Sequence, residues 1–322
     1  MSAALEFRLL NDFQRDFPLC AAPYAAVAAH LGVGEADVLA GLEKLRGEGK
    51  ISRVGPVFAP RRIGASTLAA MAVPPDRLDA VAEVVSRFPQ VNHNYQREHR
   101  YNLWFVVTAS SECDLEQALA AIERAAGCSL LSLPLLEAFY IDLGFPLDGA
   151  AAKRCSGGTS LPPLLPLDDQ DRRLVAALQA GLGLQSRPFA EVAVQTGLSE
   201  ADVIERVGYW LEIGAIKRFG VVVRHHELGY TANAMLVHDI PDDRVSQIGR
   251  ALATEPAVTL CYRRPRQLPG WPYNLFCMIH GQDRSGVEAT IEALRRRHGL
   301  DALDHAVLFS TTRFKQQGAC YA

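Results

Sequence analysis

The sequence predicts an α+β protein of two tandem repeats, each a winged helix-turn-helix followed by a ferredoxin-like (βαββαβ) domain. Three observations predict this fold class. The segment that starts at Pro23 aligns without gaps with the segment that starts at Pro188. Each copy opens with apolar residues at helical spacing around a glycine turn, and each continues into alternating, strand-like segments. Two copies in one chain imply a pseudo-two-fold molecule, equivalent to a covalently fused dimer.

The first half of each copy has the pattern of a helix-turn-helix. In copy one, a helix precedes AAVAAHLGV, which is followed by a turn and by EADVLAGLEKLRGEG. Gly32 lies in this turn, Gly197 lies in the turn of copy two, and the next helix begins with acidic residues. The segments ISRVGPVF and IKRFGVVV follow and are interpreted as strands of a wing.

The second half of each copy predicts the order strand, helix, strand, strand, helix, strand. In copy one, these elements are expected near residues 67–74, 76–88, 91–98, 101–108, 112–126 and 133–142. Repeat 1 is assigned to 1–147 and repeat 2 to 168–322, with helix-turn-helix parts near 5–65 and 168–230 and ferredoxin-like parts near 66–147 and 231–322. Residues 148–167 are rich in Gly, Pro and Ser and are assigned as the linker.

Composition excludes several classes of protein. The 322 residues are 49% hydrophobic and 21% charged, which is ordinary for a globular protein of about two domains. The N-terminal segment carries acidic residues and lacks a long apolar core, and no apolar run is long enough for a membrane span, so we expect a cytoplasmic protein. The seven cysteines form no CxxC pair, so we expect reduced thiols and no metal site intrinsic to the chain.

Charge argues against binding of duplex DNA, although the layout suits a DNA-binding regulator. The formal net charge is −3, and DNA binding requires lysine and arginine at the recognition helix. In copy two that helix, SEADVIERVGYWLEIG, has Arg206 as its single cation and carries the bulky Tyr209 and Trp210. These helices are therefore interpreted as scaffold and interface.

The segment VNHNYQREHRYNLWFV, residues 91–106, alternates like a strand. Residues two apart on a strand share a face. One face is therefore expected to carry His93, Tyr95, Arg97 and His99, and the other Asn92, Asn94, Gln96 and Glu98.

Cations and aromatic residues recur at equivalent places in the two copies, on predicted strands and hairpins. The cations are Arg53, Arg61, Arg62, Arg97, His99 and Arg100 in copy one, and Lys217, Arg218, Arg224, His225, His226, Arg263, Arg264 and Arg266 in copy two. The aromatic residues are Tyr95, Tyr101 and Trp104, then Tyr262, Trp271 and Tyr273. Arginine pairs with carboxylates in a bidentate way, and flat aromatic surfaces suit a flat ring. The pattern predicts a site for a large, planar ligand with several carboxylates.

Taken together, HNYQREHRYNLWFVV, the segment YRRPRQLPGWPYNLFCMIHG and the Lrp/AsnC-like layout of both copies resemble the sirohaem decarboxylases of the haem d1 and alternative haem pathways. The two copies look like the two usual subunits of that family, fused. The resemblance implies removal of CO2 from two acetate side chains of sirohaem, giving didecarboxysirohaem. It also implies that no organic cofactor is added and that the iron comes with the substrate. Further homo-oligomers or partner decarboxylase subunits stay open.

For this reaction the protein must hold the peripheral carboxylates, desolvate one acetate and deliver a proton to the new methyl carbon. His93 and His99 are the candidate proton donors, with Tyr95 as donor or orienter, and a histidine is equally suited to ligate the sirohaem iron. The residues expected to bind the substrate are Arg61, Arg62, Arg97, Arg100, Tyr101 and Trp104 in copy one, and Arg224, His225, His226, Tyr262, Arg263, Arg264, Arg266 and Tyr273 in copy two.

The copies differ where the chemistry is expected. Leu260 stands at the position of His93, and Arg266 at that of His99. Copy one is therefore expected to carry the proton chemistry, although a catalytic pair at 225 and 226 stays open. His238 and His280 lie in apolar strands and are interpreted as core or edge residues. Two other functions stay open: a regulator that senses a tetrapyrrole, and a tetrapyrrole carrier without catalysis.

Overall fold

The computed structural model describes residues 2–59, 62–141, 164–224, 232–319 and 321. Its helices are α1 (Ala3–Asn11), α2 (Pro23–Leu31), α3 (Glu35–Gly47), α4 (Leu78–Arg87), α5 (Glu112–Ala126), α6 (Asp169–Gln179), α7 (Pro188–Thr196), α8 (Glu200–Glu212), α9 (Val245–Ala253) and α10 (Arg284–Arg297). Its strands are β1 (Ile51–Phe58), β2 (Ala65–Met71), β3 (Val91–Arg97), β4 (Leu103–Ala109), β5 (Leu130–Pro134), β6 (Glu137–Ile141), β7 (Ile216–Val223), β8 (Ala232–His238), β9 (Val258–Arg263), β10 (Leu275–Gly281) and β11 (His305–Gln316). The predicted linker lies outside the described residues up to position 163.

Each copy begins with a helix-turn-helix head, α1–α3 in copy one and α6–α8 in copy two. Gly32 and Gly197 end α2 and α7 in the left-handed conformation, at φ 70° and 72°, as the predicted turns require. The two heads share one hydrophobic core, in which Trp210 is buried. The heads are therefore packed against each other, a role that the bulky apolar residues of α8 suit.

The strands predicted to form wings pair with each other. β1 and β7 form a two-stranded antiparallel sheet in which Gly55 lies opposite Gly220. A single strand leaves unpaired backbone groups along its edges, and the equivalent strand of the other copy satisfies those along one edge. At Gly220 a β-carbon would lie 2.3 Å from the carbonyl oxygen of Phe13, so only glycine lets the chain after α1 pack this closely. The ribbon therefore joins the two heads.

The second halves of the two copies form one sheet of nine strands, in the order β5-β2-β4-β3-β11-β8-β10-β9-β6. Its first four strands and the next four have the same ferredoxin-like order. Helices α4 and α5 pack on the copy-one half, and α9 and α10 pack on the copy-two half. On their other faces the two halves meet in an apolar layer that includes Trp104 and Leu133 from copy one and Trp271 and Phe276 from copy two. The copies thus face each other across this layer.

The last strand of each copy crosses to the other copy. The segment expected as one strand at 133–142 is divided, because β5 pairs with β2 of its own copy while β6 pairs with β9 of copy two. In the same way, β11 pairs with β8 as far as Phe309 and with β3 from Ser310 onward. Each exchange covers a strand edge that would otherwise be exposed. The two repeats are therefore interlocked and not merely tethered.

Within the described residues, no single helix is both long and apolar enough to cross a membrane. The bent pair of α2 and α3, with 101° between the helices, passes that test only when the two are taken together.

Candidate active site

A cavity of about 200 Å³ lies between the two halves of the large sheet. Both copies line it with residues at equivalent positions. Leu68 and Tyr95 from copy one face it, as do their counterparts Met235 and Tyr262 from copy two. The cavity is thus a shared feature of the two repeats, and neither repeat forms it alone.

Three side chains predicted to share one face of β3 line this cavity: His93, Tyr95 and Arg97. Asn94 points the other way, since its amide nitrogen donates to the carbonyl oxygen of Ala82 and to the Ser86 hydroxyl, each at 3.0 Å. The alternation predicted for this strand is therefore confirmed over these four residues.

The prediction that His99 shares this face is wrong. β3 ends at Arg97, and the chain turns before β4 begins at Leu103. The Nδ1 atom of His99 accepts a hydrogen bond from the backbone N–H of Tyr101 at 3.0 Å. Its ring packs edge-on against Trp271, with 5.5 Å between the ring centroids. His99 is therefore part of the hairpin packing and does not line the cavity.

His93 is the histidine that copy one contributes to the cavity. Burial lowers its pKa to about 4, and its Nδ1 atom has no hydrogen-bond partner among the described residues. Its ring lies 6.2 Å from that of Tyr95. An imidazole with so low a pKa is neutral near pH 7, the state in which histidine binds a metal ion. At the equivalent position of copy two, Leu260 lines the same cavity.

Two arginines at equivalent positions bridge the copies reciprocally. Arg97 of copy one donates from Nη1 to the carbonyl oxygen of Leu308 at 3.0 Å, and Arg264 of copy two donates to the carbonyl oxygen of Leu133. Leu308 and Leu133 are themselves equivalent, because they pair with equivalent residues of β8 and β2. Burial lowers the pKa of both guanidinium groups, which nonetheless stay cationic near neutral pH. Arg97 therefore brings a positive charge to the cavity, and Arg264 lies beside Tyr262, which lines it.

Each of these arginines lies beside a tyrosine of its own copy. The guanidinium carbon of Arg264 is 4.6 Å from the ring centroid of Tyr262, and that of Arg97 is 5.9 Å from the ring centroid of Tyr95. Burial raises the pKa of Tyr95, although the charges of three arginines oppose this effect. The Tyr95 phenol is thus protonated near pH 7 and able to donate a hydrogen bond.

Arg313 is one of the three arginines whose charge lowers the pKa of Tyr95. It is not among the residues that the sequence predicts to bind the substrate. It lies on β11 directly opposite Tyr95 in the ladder with β3. Arg224, which was selected, also lies close enough to lower the pKa of Tyr95. Comparison of the two repeats does not point to Arg313, because only the crossing of β11 brings this residue beside Tyr95 of copy one.

The other predicted substrate-binding residues are distributed over several places. Trp104 and Tyr262 line the cavity. Tyr101 and Tyr273 do not line it, and their rings pack edge-on against Trp271. Arg100 is exposed in the hairpin after β3, and Arg62 is buried at the heads, where it donates to the carbonyl oxygen of Ile213 at 3.2 Å. Arg61, His225 and His226 lie outside the described residues.

Arg263 and Arg266 lie in a separate outer groove of about 290 Å³ that Arg264 also lines. Arg263 forms an ion pair with Asp242 at 2.8 Å. Arg266 pairs with Asp239 at 2.6 Å and with Asp242 at 2.9 Å. The charges of these two arginines are thus already matched by carboxylates of the protein itself. They are not brought to the cavity with His93.

His280, interpreted from the sequence as a core or edge residue, lines the cavity. Its Nδ1 atom lies 2.8 Å from the Thr259 hydroxyl. The alternation of β10 contained the signal, since Phe276 and Met278 on the same face belong to the layer between the two sheet halves.

The described cysteines are reduced thiols: Cys20, Cys113, Cys128, Cys261 and Cys277. Within the described ranges, no group of three or more His, Cys, Asp or Glu side chains is placed to hold a metal ion.

Both halves of each copy match known family models. Residues 6–51 and 171–216 match the siroheme decarboxylase NirDL-like HTH domain, and residues 62–139 and 227–315 match the AsnC-like ligand binding domain. The "Siroheme decarboxylase NirDL subunit" of Paracoccus denitrificans (strain Pd 1222) is 46% identical to this chain over 319 residues, which cover 99% of this chain and 97% of that protein.

Other similar proteins include half-length relatives and a liganded structure. The "Siroheme decarboxylase NirD subunit" of Stutzerimonas stutzeri is 55% identical over 144 residues, 45% of this chain and 95% of that subunit. The crystal structure of the siroheme decarboxylase NirDL in co-complex with an iron-uroporphyrin III analogue has a TM-score of 0.70 to this chain at 29% identity, covering 99% of this chain and 93% of that one. With matches that cover both of its repeats from head to ligand domain, the chain belongs to the NirDL-like siroheme decarboxylases.

Proposed function

We propose that this chain decarboxylates sirohaem, removing CO2 from two acetate side chains to give didecarboxysirohaem in haem d1 or alternative haem biosynthesis. The observation that supports it most is the cavity between the copies, which is lined by His93, Tyr95 and Arg97 of copy one and by Tyr262 of copy two, with Arg264 beside that tyrosine. Cations matched to carboxylates and aromatic walls matched to a flat ring are what this substrate requires.

Each of the two decarboxylations needs little beyond binding and one proton. When CO2 leaves a ring acetate, the electron pair stays on the adjacent carbon and spreads into the conjugated macrocycle. The substrate is thus its own electron sink, which supports a reaction without an added organic cofactor. Arg97 supplies positive charge in the cavity for a carboxylate, and Arg264 adds charge beside Tyr262. His93, neutral in the free protein, is suited to ligate the iron of the substrate.

The size of the cavity indicates how the substrate lies. At about 200 Å³ the cavity is smaller than sites that enclose a whole ligand, which start at roughly 300 Å³. The whole macrocycle would therefore fit only if the cavity widened on binding or if part of the ring stayed outside it. One acetate would then be desolvated in the cavity while other carboxylates stay hydrated.

The heads support the enzyme over the regulator. On α3, Lys44 pairs with Glu6 at 2.5 Å and with Glu48 at 3.6 Å. On α8, Arg206 pairs with Asp171 at 2.5 Å. Cations held by neighbouring carboxylates are poorly available for DNA phosphates. We therefore assign the heads a scaffolding role, with no DNA partner.

The fusion of two subunit types fits the half-length relatives. A NirD-type subunit covers 45% of this chain, and the strand exchange here would be an exchange between subunits if the chain were divided. We infer that one chain supplies both halves of the site.

The test is anaerobic incubation of the purified chain with reduced sirohaem, followed by liquid chromatography and mass spectrometry. We expect successive loss of one and then two CO2 units, with the intermediate visible at early times. Bound but unchanged sirohaem would favour the carrier. A salt-dependent shift of duplex DNA together with unchanged sirohaem would favour the regulator.

A further inference from the structure

We propose that His238 and His305 form an acid-sensitive latch, which holds the start of β11 against β8 at neutral pH and releases it as the pH falls. The two residues lie directly opposite each other in the antiparallel ladder. Their rings stack, with 5.7 Å between the centroids and 24° between the planes. His238 is the last residue of β8 and His305 is the first residue of β11. The latch therefore lies where β11 enters the sheet, and neither ring is among those that line the cavity.

Copy one has an apolar pair at the equivalent place. Met71 is the last residue of β2, as His238 is of β8, and Leu130 is the first residue of β5, as His305 is of β11. Met71 and Leu130 also lie opposite each other in their ladder. An apolar pair is thus sufficient to build this corner of the sheet, and copy two carries two titratable rings in its place.

His238 is buried without the hydrogen bonds that an imidazole usually makes. Its side chain is fully buried, and neither Nδ1 nor Nε2 has a hydrogen-bond partner among the described residues. A neutral imidazole has one N–H group to satisfy, whereas a protonated imidazole has two and also carries a charge. Burying an unpaired charge costs far more than burying a neutral polar group. The surroundings of His238 therefore favour its neutral form.

Arg295 places a positive charge close to both histidines. It lies on α10 and is itself buried, with Nη2 donating to the carbonyl oxygen of Asp301 at 3.1 Å and Nη1 pairing with Glu292 at 3.2 Å. Burial lowers the pKa of His238 to about 3, and the charges of His305 and Arg295 lower it further. Burial and then Arg295 also lower the pKa of His305. Protonation would thus add positive charge beside a fixed cation.

The acidic groups around the latch offset this effect only in part. Glu292 on α10 and Asp304, which precedes β11, raise the pKa of His305, yet the net shift of that pKa is downward. β10 contributes the apolar Leu275 opposite His238. The more exposed His305 is therefore expected to take up a proton first, and its charge then acts against protonation of His238.

Acid destabilises the latched state because the folded chain favours the neutral rings. In the unfolded chain an ordinary histidine has a pKa of about 6.5, well above the value of about 3 for folded His238. The stability that depends on these residues is fully present above pH 6.5. It is lost as the pH falls below that value, because the unfolded chain then binds protons that the folded chain does not.

Release of the latch would reach the shared cavity through β11. Beyond the residues that pair with β8, this strand carries Ser310, which lines the cavity. It then carries Arg313 to a position opposite Tyr95 of copy one. The latch therefore couples the protonation of copy two to the strand exchange that joins the two copies.

The test compares urea unfolding of the wild-type chain and of the double variant His238→Met/His305→Leu from pH 8 to pH 5. The double variant has the same apolar pair as copy one. Between pH 7 and pH 5, the unfolding equilibrium constant of the wild type should rise about 20-fold more than that of the double variant. This factor is expected for one histidine whose pKa is about 6.5 unfolded and about 3 folded. His30→Gln, which changes an exposed histidine of the first head, is the control and should keep the wild-type acid dependence.

Hydrogen exchange followed by mass spectrometry locates the opening in the wild-type chain without any variant. Between pH 7 and pH 5, protection factors corrected for the intrinsic exchange rate should fall several-fold more over residues 305–309 of β11 than over β5. β5 is the internal control, since it is the equivalent strand of copy one and begins with Leu130.

Equal acid dependence in the wild type and the double variant would overturn the latch. An equal loss of protection in β11 and β5 would also overturn it, because the opening would then be global. If the double variant failed to fold, the exchange measurement on the wild type would decide alone. Neither measurement uses sirohaem, so failure of the latch is distinguishable from failure of the proposed function.

Discussion

Replacing His93 by alanine should weaken sirohaem binding and lower its turnover by about 10- to 100-fold while the protein stays folded, because the variant loses the imidazole suited to ligate the iron. His93 lines the shared cavity, and burial lowers its pKa to about 4, which leaves a neutral ring directed at the substrate. Its removal takes away the only imidazole that copy one contributes to the cavity within the described residues. Turnover is measured anaerobically, and the absorption spectrum of bound sirohaem reports the environment of the iron. Circular dichroism checks that the fold persists.

His99→Ala is the matched control for this variant. His99 belongs to the same sequence motif, but its ring packs on Trp271 in the hairpin and does not line the cavity. We therefore expect kcat within a few-fold of the wild type, with a modest loss of stability from the lost packing. The reverse result, with His99→Ala inactive and His93→Ala active, would place the chemistry in the hairpin and contradict the site described here.

Phe139→Ala should lower the free energy of unfolding by about 3–5 kcal/mol, the usual cost of removing a buried phenylalanine. Phe139 lies on β6, belongs to copy one in sequence and packs in the core of copy two. It lies against α9 at Gly249, where a β-carbon would come within 2.2 Å of the ring. The loss should be seen in urea unfolding. Gly249→Ala should also be destabilising, because the added methyl group would collide with the Phe139 ring.

Leu136→Ala is the control for this second prediction. Leu136 lies between β5 and β6, at the point where the chain crosses, and is 45% exposed. Its truncation should cost less than about 1 kcal/mol. If Phe139→Ala were as mild as Leu136→Ala, β6 would not be part of the copy-two core and the interlocked fold would be wrong.

Much of the fold could be predicted because its helices, turns and strands follow from local sequence patterns, and because each pattern occurs once in each of the two copies. The turn glycines Gly32 and Gly197 mark both heads, and period-2 alternation placed His93, Tyr95 and Arg97 on one face. The strand exchange could not be predicted, since the choice of partner for β6 or for the end of β11 depends on which edge is open in the assembled sheet. For the same reason, the position of Arg313 beside Tyr95 could not be predicted, since it depends on that exchange.

Two histidines have surroundings that the sequence did not indicate, for different physical reasons. The sequence predicts His99 on the strand face because the alternation of residue types continues past Arg97. In the structure the strand ends at Arg97, and the backbone turns there to make the hairpin. His280 was assigned to a core or edge role because its strand is apolar, but one face of that strand lines the gap between the copies. Burial alone does not distinguish a face packed on helices from a face that borders a shared cavity.

Arg263 and Arg266 form ion pairs with carboxylates of the protein, which the sequence alone does not indicate. Both were counted as carboxylate-binding residues because they continue the run of cations after Tyr262. In the folded chain, Asp239 and Asp242 come from the loop after β8 and pair with them. Cations that form such ion pairs are less able to bind the carboxylates of a ligand.

The central claim is that the two copies build one site between them, and the number of sirohaem molecules bound per chain tests it most directly. The measurement is an anaerobic titration of the wild-type chain with sirohaem, in which the absorption of the bound pigment is read within seconds of mixing at protein concentrations well above the dissociation constant. A shared cavity predicts saturation at one sirohaem per chain. Saturation at two per chain would mean that each copy binds its own substrate, and would contradict the shared site.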